Sequence, residues 1–254
     1  KLDVSEGGKL DNTGNISLKD GAAMDVSGTV ENGGNVTTEG NATVKLPSGS
    51  EDSVNSNAEA QWTENEGNLN VSEGAGLNVS GIFDNKGTLD LEGNADLTVS
   101  NTGTFNNNGT VSSEAQWTDE NGDKHYGTLK DALDSGAKDI ELNKDTTLTE
   151  DTVIPEDTTV TVNNGVTITV PDNKSLEING KLEGANENTI INQNEASWKN
   201  PETGKQFYGN LNDALTKTNE PENTPSQITV NKDAELDVSK HPEIPAGVTV
   251  EVKE

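Results

Sequence analysis

The sequence predicts an all-β protein of the right-handed parallel β-helix class, a solenoid with three short strands in each coil of about twenty residues. Two observations support this prediction. The segment Ala22–Leu46 recurs as Ala75–Val99, and each apolar position of the first copy meets an apolar or Thr position of the second at a constant offset. Short runs of alternating apolar and polar residues also return after about twenty residues, as from Leu10 to Val30.

The composition narrows the possible classes of protein. Only 28% of the 254 residues are hydrophobic, and the formal net charge is −28, values that are typical of a disordered chain. The regular spacing of the few apolar residues argues against disorder, because a solenoid needs only a thin core. The absence of cysteine excludes disulfides and thiolate metal sites. The acidic balance argues against partners such as nucleic acids and anionic membranes.

Turn-forming residues separate the apolar runs in the first 113 residues. Asn-x-Gly corners begin at Asn12, Asn32, Asn85 and Asn107, and we place them at the same position in successive coils. Asn and Gly tolerate the left-handed backbone conformations that sharp corners need. Stacked coils would also let these Asn side chains form a ladder of amide hydrogen bonds. The sequence leaves both interpretations open.

A second kind of unit begins at Trp117 and is repeated from Trp198. Each copy predicts a short capping helix, at about residues 128–135 and 210–217, with box-like starts at Thr128-x-x-Asp131 and Asn210-x-x-Asp213. Gly136 predicts the end of the first helix. Eight residues of these units are expected to anchor the helices and close a core, although their aromatic members would also suit sugar stacking: Trp117, Tyr126, Leu129, Leu133, Trp198, Tyr208, Leu211 and Leu215.

Recurring Glu-Ala-x-Trp tags suggest three blocks, residues 1–116, 117–197 and 198–254. Whether each helix caps one coil stack or starts another stays open, and we favour a new start. After the helices, strands are predicted at 140–142, 153–154, 159–162, 166–170, 176–178, 228–230, 236–238 and 248–252. Antiparallel hairpin stacks are the main alternative, but they do not explain a unit of three strands and three corners.

Two segments resemble known families. Tyr126–Leu182, with its Thr-Leu-x-Asp-Ala-Leu helix and Ile-Pro-x-x-x-Thr-Val run, resembles the start of a pectate-lyase-like right-handed parallel β-helix. The Asn-x-Gly coils of residues 1–113 resemble those of bacterial surface adhesins of the filamentous haemagglutinin type. These resemblances imply the fold more strongly than a function, since the fold occurs in lyases, hydrolases and inert stalks alike.

No catalytic residue, cofactor or metal site is predicted. The chain contains no arginine to match the commonest lyase base, and its two histidines do not stand in the Gly-His-Gly segment of the hydrolases that the resemblance implies. We expect a non-enzymatic structural or adhesive region of a longer, extracellular bacterial cell-surface protein, without membrane contact. Its partner would be a host or environmental glycan or protein. The alternative is a carbohydrate-binding or polysaccharide-processing β-helix.

Overall fold

The chain is a parallel β-solenoid of about eight turns with two short helices, which confirms the predicted fold class. The computed structural model describes residues 1–5, 8–12, 15–18, 23–26, 29–32, 35–38, 43–46, 51–54, 58–59, 64–79, 81–186, 188–200, 202–217, 227–237, 239, 244 and 248–252. It divides into two compact units, Lys1–Gly136 and Ala137–Glu254. The three sequence blocks stay a prediction as domain boundaries.

The first unit is a succession of short strands that ends in a helix. Its elements are, in chain order, β1 (Leu2–Val4), β2 (Lys9–Asn12), β3 (Asn15–Leu18), β4 (Ala23–Val26), β5 (Thr29–Asn32), β6 (Asn35–Thr38), β7 (Thr43–Leu46), β8 (Glu51–Val54), β9 (Ala58–Glu59), β10 (Glu64–Asn65), β11 (Asn68–Val71), β12 (Gly76–Val79), β13 (Ile82–Asn85), β14 (Thr88–Leu91), β15 (Asp96–Val99), β16 (Thr104–Asn107), β17 (Thr110–Ser112), β18 (Ala115–Thr118), β19 (Lys124–Gly127) and α1 (Leu129–Asp134).

These strands form the walls of a coil, because β1 to β5 and β7 to β14 each pair in parallel with the third strand after them. The first wall has the order β1-β4-β7-β10-β13-β16, and the second has the order β2-β5-β8-β11-β14-β17. The third wall contains β3-β6 and, farther along, β9-β12-β15. Leu10 lies opposite Val30 and Ile16 lies opposite Val36, which confirms the predicted spacing of about twenty residues.

The core of the first unit lies inside these walls. Alternate residues point inward where the structure describes the side chains, as β14 shows with Leu89 and Leu91 buried on either side of the exposed Asp90. The same alternation buries Leu69, Leu77, Phe83 and Leu97. Each such side chain contributes roughly 1.5–3 kcal/mol on burial. A thin aliphatic column therefore holds a chain whose outer faces are polar.

The repeat seen in the sequence does not coincide with a whole number of coils. It carries β4 onto β12 and β5 onto β13, so that one repeat contains eight strands. Each coil uses three strands, and eight is not a multiple of three. The second copy is therefore moved by one wall: β5 lies in the second wall, whereas β13 lies in the first.

The second unit repeats the same construction on a smaller scale. Its elements are β20 (Asp139–Leu142), β21 (Thr146–Thr147), β22 (Thr152–Ile154), β23 (Thr159–Val162), β24 (Ile168–Val170), β25 (Leu176–Ile178), β26 (Lys181–Glu183), β27 (Ile190–Asn192), β28 (Ala196–Lys199), β29 (Gln206–Gly209), α2 (Leu211–Lys217), β30 (Gln227–Val230) and β31 (Thr249–Val252).

Three walls are again present in the second unit. They contain the parallel rows β20-β23-β26, β21-β24-β27 and β22-β25, and the last row continues through β29, β28, β30 and β31. Buried aliphatics such as Ile140, Val160, Ile168 and Leu176 fill the space between the walls. The strand predicted at 236–238 is wrong at Leu236 and Asp237, which form no strand; position 238 lies outside the described residues.

Candidate functional site

Two antiparallel hairpins interrupt the parallel pattern, and the sequence analysis missed both. In the first, β18 pairs with β19, so that Trp117 lies opposite His125 and Gln116 lies opposite Tyr126. The same β19 pairs antiparallel with β15 of the third wall, where Tyr126 lies opposite Leu97. The hairpin therefore covers the open edge of that wall, which protects an edge strand from unwanted pairing.

Helix α1 follows the first hairpin directly and packs on it. Thr128 Oγ1 accepts a hydrogen bond from the Asp131 amide at 3.1 Å, and the Asp131 carboxylate accepts from the Thr128 amide at 3.3 Å, which confirms the predicted capping box. Gly136 has a φ of +78° and donates to the Leu133 carbonyl at 3.0 Å, as expected of a residue that ends a helix. The predicted helix position is thus confirmed.

The Glu of the Glu-Ala-x-Trp tag accepts a hydrogen bond from the start of the following helix. Glu114 accepts a hydrogen bond from the Leu129 amide at 2.9 Å, and in the second copy Glu195 accepts from the Leu211 amide at 3.2 Å. These amides belong to the first helical turn and have no intrahelical partner. The Ala of each tag is fully buried. The tag therefore joins the hairpin to the start of the helix. Residues 60–63, which include most of a third tag, lie outside the described residues.

The aromatic residues of the first hairpin lie on opposite faces of the sheet. Trp117 is buried, and its ring stacks on His125 with centroids 5.2 Å apart and an interplanar angle of 13°. Tyr126 points into the coil core, where its ring meets Phe105 edge-on at 5.8 Å. Lys124 also contacts the Tyr126 ring, with Nζ 5.0 Å from the ring centroid.

The second hairpin has the same register. Trp198 lies opposite Phe207 and Ser197 lies opposite Tyr208, so that Phe207 occupies the position of His125. Phe207 is buried and stacks on Trp198 with centroids 6.1 Å apart. Phe207 is not among the residues that the sequence predicts to close the core. The signal was present, since aromatic residues rarely occur in this chain and Phe207 directly precedes the selected Tyr208.

Not all of the predicted cap residues lie in the core to the same extent. Trp117, Tyr126, Leu129, Trp198, Leu211 and Leu215 are buried, whereas Leu133 and Tyr208 are half-buried. The Tyr208 hydroxyl donates to Gln206 Oε1 at 3.0 Å, and burial raises the pKa of this phenol. The indole N–H groups of Trp117 and Trp198 meet no acceptor among the described residues, so apolar packing holds both rings in place.

The core changes sides of the sheet at the second hairpin. On β25, Leu176 and Ile178 point into the coil core, while Glu177 points to the opposite face. Glu177 lies opposite Phe207, and Phe207 lies opposite Trp198. Since directly opposed residues share a face, the second core lies on the side that was the outside of β25.

A separate cluster closes this second core. It consists of Ala196, Trp198, Phe207, Leu211, Ala214, Leu215, Ile228 and Val230, with helix α2 as its cover. Lys217 at the end of α2 reaches Glu177 at 2.6 Å, and Asn179 donates to the same carboxylate at 2.8 Å. Burial alone would raise the pKa of Glu177, but these hydrogen bonds outweigh it and lower the pKa below its ordinary value.

The second hairpin has a strand paired to each of its two sides. β25 pairs with β29 on one side of the hairpin, and β30 pairs with β28 on the other, with Trp198 opposite Ile228. β31 then pairs in parallel with β30. One continuous sheet thus contains the last strand of a coil stack, the hairpin and the strands that follow the helix.

An amide ladder occupies one corner of the first unit. Asn65 Nδ2 donates to Asn85 Oδ1 at 2.7 Å, and Asn85 Nδ2 donates to Asn107 Oδ1 at the same distance. Asn65 and Asn85 also donate to carbonyl groups of the next coil at 3.0 and 3.1 Å. Asn65 was not among the predicted ladder residues, although Asn65-Glu66-Gly67 is an Asn-x-Gly corner that aligns with Asn12 at the offset that carries Ala22 to Ala75.

The predicted ladder residues do not form one column. Asn12 lies opposite Asn32 at the end of the second wall, whereas Asn85 lies opposite Asn107 at the end of the first. The expectation that all four occupy the same corner is therefore wrong. The reason is the eight-strand repeat, which moves the motif by one wall. The side chains of Asn12 and Asn32 lie outside the described part of the structure.

The described residues include no candidate metal site. In the described ranges, no three His, Asp or Glu side chains are grouped closely enough to hold a metal ion. Neither described helix has the length and apolar character needed to span a membrane. No family model, curated protein or solved structure matches this chain.

Proposed function

We propose that the chain is a non-enzymatic structural repeat region of a bacterial extracellular cell-surface protein, in which successive coil stacks are joined through hairpin–helix caps. The observation that carries this proposal is the second cap, which has strands paired to both sides of its hairpin. A cap that ended the fold would need a partner on one side only. A cap with two paired sides is suited to join one stack to the next.

The recurrence of the cap supports a tandem arrangement. Both copies use the same hairpin register, the same buried Ala and the same Glu to helix-amide hydrogen bond. A repeat that brings its own junction can be added without redesign of its neighbours, because stability in such proteins comes from contacts between adjacent repeats. A repeat that carries its own junction is expected in a spacer region.

The polar exterior supports an exposed location. Outward columns carry Glu, Asp and Asn, as in Glu64, Asp84 and Asn106 of the first wall. Together with the net charge of −28, such faces resist self-association. We also propose a bacterial source, a location on the cell surface, and a glycan or protein ligand. The likeness to pectate-lyase-like and adhesin coils belongs to the same proposal.

A display experiment tests the spacer role. The full chain is placed between an epitope and a membrane anchor on an encapsulated bacterium, and antibody access to the epitope is compared with that of a chain lacking residues 117–197. We expect access to fall when the block is removed. Equal access for both chains would contradict the spacer role.

An activity assay separates the alternative class. The purified chain is incubated with a panel of polysaccharides and the release of reducing ends is measured, alongside binding to a glycan array. We expect no release of reducing ends. Release that follows the chain through purification would replace the structural role with a polysaccharide-processing one, whereas glycan binding without release would assign the ligand-presenting form of the role.

A further inference from the structure

Two corners of the solenoid contain the same tripeptide, Asn-Asn-Gly, in different surroundings. One begins at Asn107, where β16 ends, and the other begins at Asn163, directly after β23. An asparagine that precedes glycine is prone to succinimide formation, because glycine has no side chain to hinder attack of its nitrogen on the asparagine carboxamide. The two corners share the same reactive residues in the same order, so a difference in their reactivity would arise from the fold.

Backbone contacts hold the first corner. The amides of Asn108 and Gly109 both donate to the Asn85 carbonyl, at 2.7 and 3.0 Å. A Cβ on Gly109 would lie 2.1 Å from the Gly87 carbonyl oxygen of the coil below, so the backbone is closely stacked there. The Gly109 nitrogen therefore cannot turn towards the Asn108 carboxamide without the loss of a hydrogen bond and a backbone clash.

The second corner is open. Asn164 and Gly165 are exposed, and neither the Asn164 carboxamide nor the Gly165 amide has a hydrogen-bond partner among the described residues. A Cβ on Gly165 would meet no described heavy atom within 4 Å. The surroundings of this corner therefore leave room for the Gly165 nitrogen to move.

The closing hydrogen bond of the second corner also permits that movement. Val166 donates to the Asn163 carbonyl at 3.0 Å, and Gly165, the third residue of this turn, has a φ of +85°. The same closing bond occurs in turns with either sign of φ at the third position, and glycine adopts both. The peptide between Asn164 and Gly165 can thus rotate while the turn stays closed.

The other Asn-Gly pairs resemble the first corner. The amide of Gly122, after Asn121, donates to the Asp119 carbonyl at 3.1 Å. The amide of Gly180, after Asn179, donates to the Ile154 carbonyl at 3.2 Å. Gly33, which follows Asn32, lies outside the described residues. Among the Asn-Gly pairs that the structure describes, the pair at 164–165 alone combines exposure with an unbound glycine amide.

We propose that Asn164 is a modification site, at which the chain deamidates spontaneously at neutral pH. The Gly165 nitrogen loses its proton to hydroxide and attacks Cγ of Asn164. A bond forms between these two atoms, the bond from Cγ to the side-chain nitrogen breaks, and that nitrogen takes up a proton and leaves as ammonia. Water then opens the succinimide at either carbonyl and gives aspartate or isoaspartate. One water is consumed, one ammonia is released, and no atom is oxidised or reduced.

The products change the corner between β23 and β24. Each conversion adds one negative charge to a chain whose formal net charge is −28. Isoaspartate also adds a methylene group to the main chain, so the bond from Val166 to Asn163 should be lost. Asn163 stays tied to the coil below, because its Nδ2 donates to Asn143 Oδ1 at 2.8 Å. The disturbance should therefore stay at the tip of the turn. This modification does not depend on the proposed spacer role.

Oxygen labelling measures the reaction. The folded full chain is incubated at neutral pH in water enriched in the heavy isotope of oxygen, digested in acid, and mapped by mass spectrometry. The new carboxyl group takes up label only when deamidation occurs during the incubation. A hydrogen bond that must break first slows the reaction about two- to tenfold, so the peptide with Asn164 should gain label faster by that factor than those with Asn108, Asn121 and Asn179.

The urea-unfolded chain and two variants provide the controls. In urea, Asn108 and Asn164 should react at nearly equal rates, since both stand in Asn-Asn-Gly. Asn164→Gln should remove most of the label gained by the folded chain, because glutamine would have to close a larger ring, whereas Asn108→Gln should leave that label unchanged. If Asn108 reacts as fast as Asn164 in the folded chain, if neither gains label, or if the preference for Asn164 persists in urea, the proposal is wrong.

Discussion

Phe207 stacks on Trp198 across the second hairpin, whereas the neighbouring Tyr208 lies on the opposite face of the sheet. Phe207 belongs to the closed core under α2, and Tyr208 is half-buried. Phe207→Ala should therefore lower the free energy of unfolding by about 3–5 kcal/mol, the usual cost of deleting a buried ring. Urea unfolding followed by circular dichroism measures the loss.

The control for that substitution is Tyr208→Phe. This change removes one half-buried hydroxyl and its bond to Gln206, so we expect a loss of only about 0.5–1.5 kcal/mol. A larger effect at Tyr208 than at Phe207 would contradict the assignment of the core face.

The amide ladder gives a second prediction. Asn85 is fully buried and bonds to Asn65 on one side and Asn107 on the other. Asn85→Ala removes one of the two acceptors of the buried Asn65 Nδ2 group, which should cost about 1–3 kcal/mol in the free energy of unfolding. Asn106→Ala, at an exposed position of the next strand, should stay within about 0.5 kcal/mol. Equal costs at the two positions in urea unfolding would argue against a ladder that contributes to stability.

Close stacking at the corners predicts how a methyl group added to a glycine changes stability. A Cβ on Gly87 would lie 2.1 Å from the Gly67 carbonyl oxygen of the coil below, and backbone atoms cannot move aside cheaply. Gly87→Ala should therefore cost about 1–3 kcal/mol. Gly81 has no heavy atom within 4 Å of such a Cβ, so Gly81→Ala should be neutral or stabilise by about 0.4–1 kcal/mol. Thermal unfolding of the two variants compares the sites, and the reverse order would contradict the stacking at this corner.

The tag residue Glu195 is expected to act as a helix cap from a distance. Glu195→Ala removes the acceptor of the Leu211 amide and should lower stability by about 0.5–2 kcal/mol, as the loss of an N-cap does. The exchange rate of the Leu211 amide should rise in the same variant. Glu202→Ala, at an exposed position in the turn of the same hairpin, should leave both quantities unchanged. Unchanged exchange at Leu211 in the Glu195 variant would remove the proposed role of the tag.

The pair of Glu177 and Lys217 predicts a dependence on pH. The side chains are 12% and 31% exposed, and the pKa of Glu177 is lowered in the folded state. A lowered carboxyl pKa adds stability above the unfolded value of about 4.3, and this stability is lost as the pH falls through the folded value. Glu177→Gln should thus cost about 1 kcal/mol at neutral pH, and the difference from the unchanged chain should shrink below about pH 4.

A surface pair serves as the control for the pH experiment. Lys130 and Asp134 are exposed and four residues apart on α1, with 2.5 Å between Nζ and Oδ2. Solvent screens such pairs, so Asp134→Asn should change stability by less than about 0.5 kcal/mol at any pH. A pH-independent cost at Glu177 would show that its hydrogen bonds, and not its charge, account for its contribution to stability.

Several features were predictable because they depend on neighbours in sequence. The two-residue alternation of β14 predicts which of its side chains are buried, and the Thr128 and Asp131 spacing predicts where α1 begins. The spacing from Leu10 to Val30 predicts the length of a coil. Each of these needs only the local geometry of a strand, a helix start or a turn.

Other features depend on contacts that no local pattern specifies. The pairing of β18 with β19 and the change of core face at β29 arise from where a whole strand docks, and alternating residues fit either face of a sheet equally well. The same is true of the Asn corners, since loop lengths summed over eight strands decide which wall a repeat reaches. The sequence alone thus determined that the chain winds into stacked parallel coils with helices at two positions. The tertiary structure alone decided which corner, which face and which partner each residue meets, because those contacts join residues on different strands, as Asn65 meets Asn85 and Leu97 meets Tyr126.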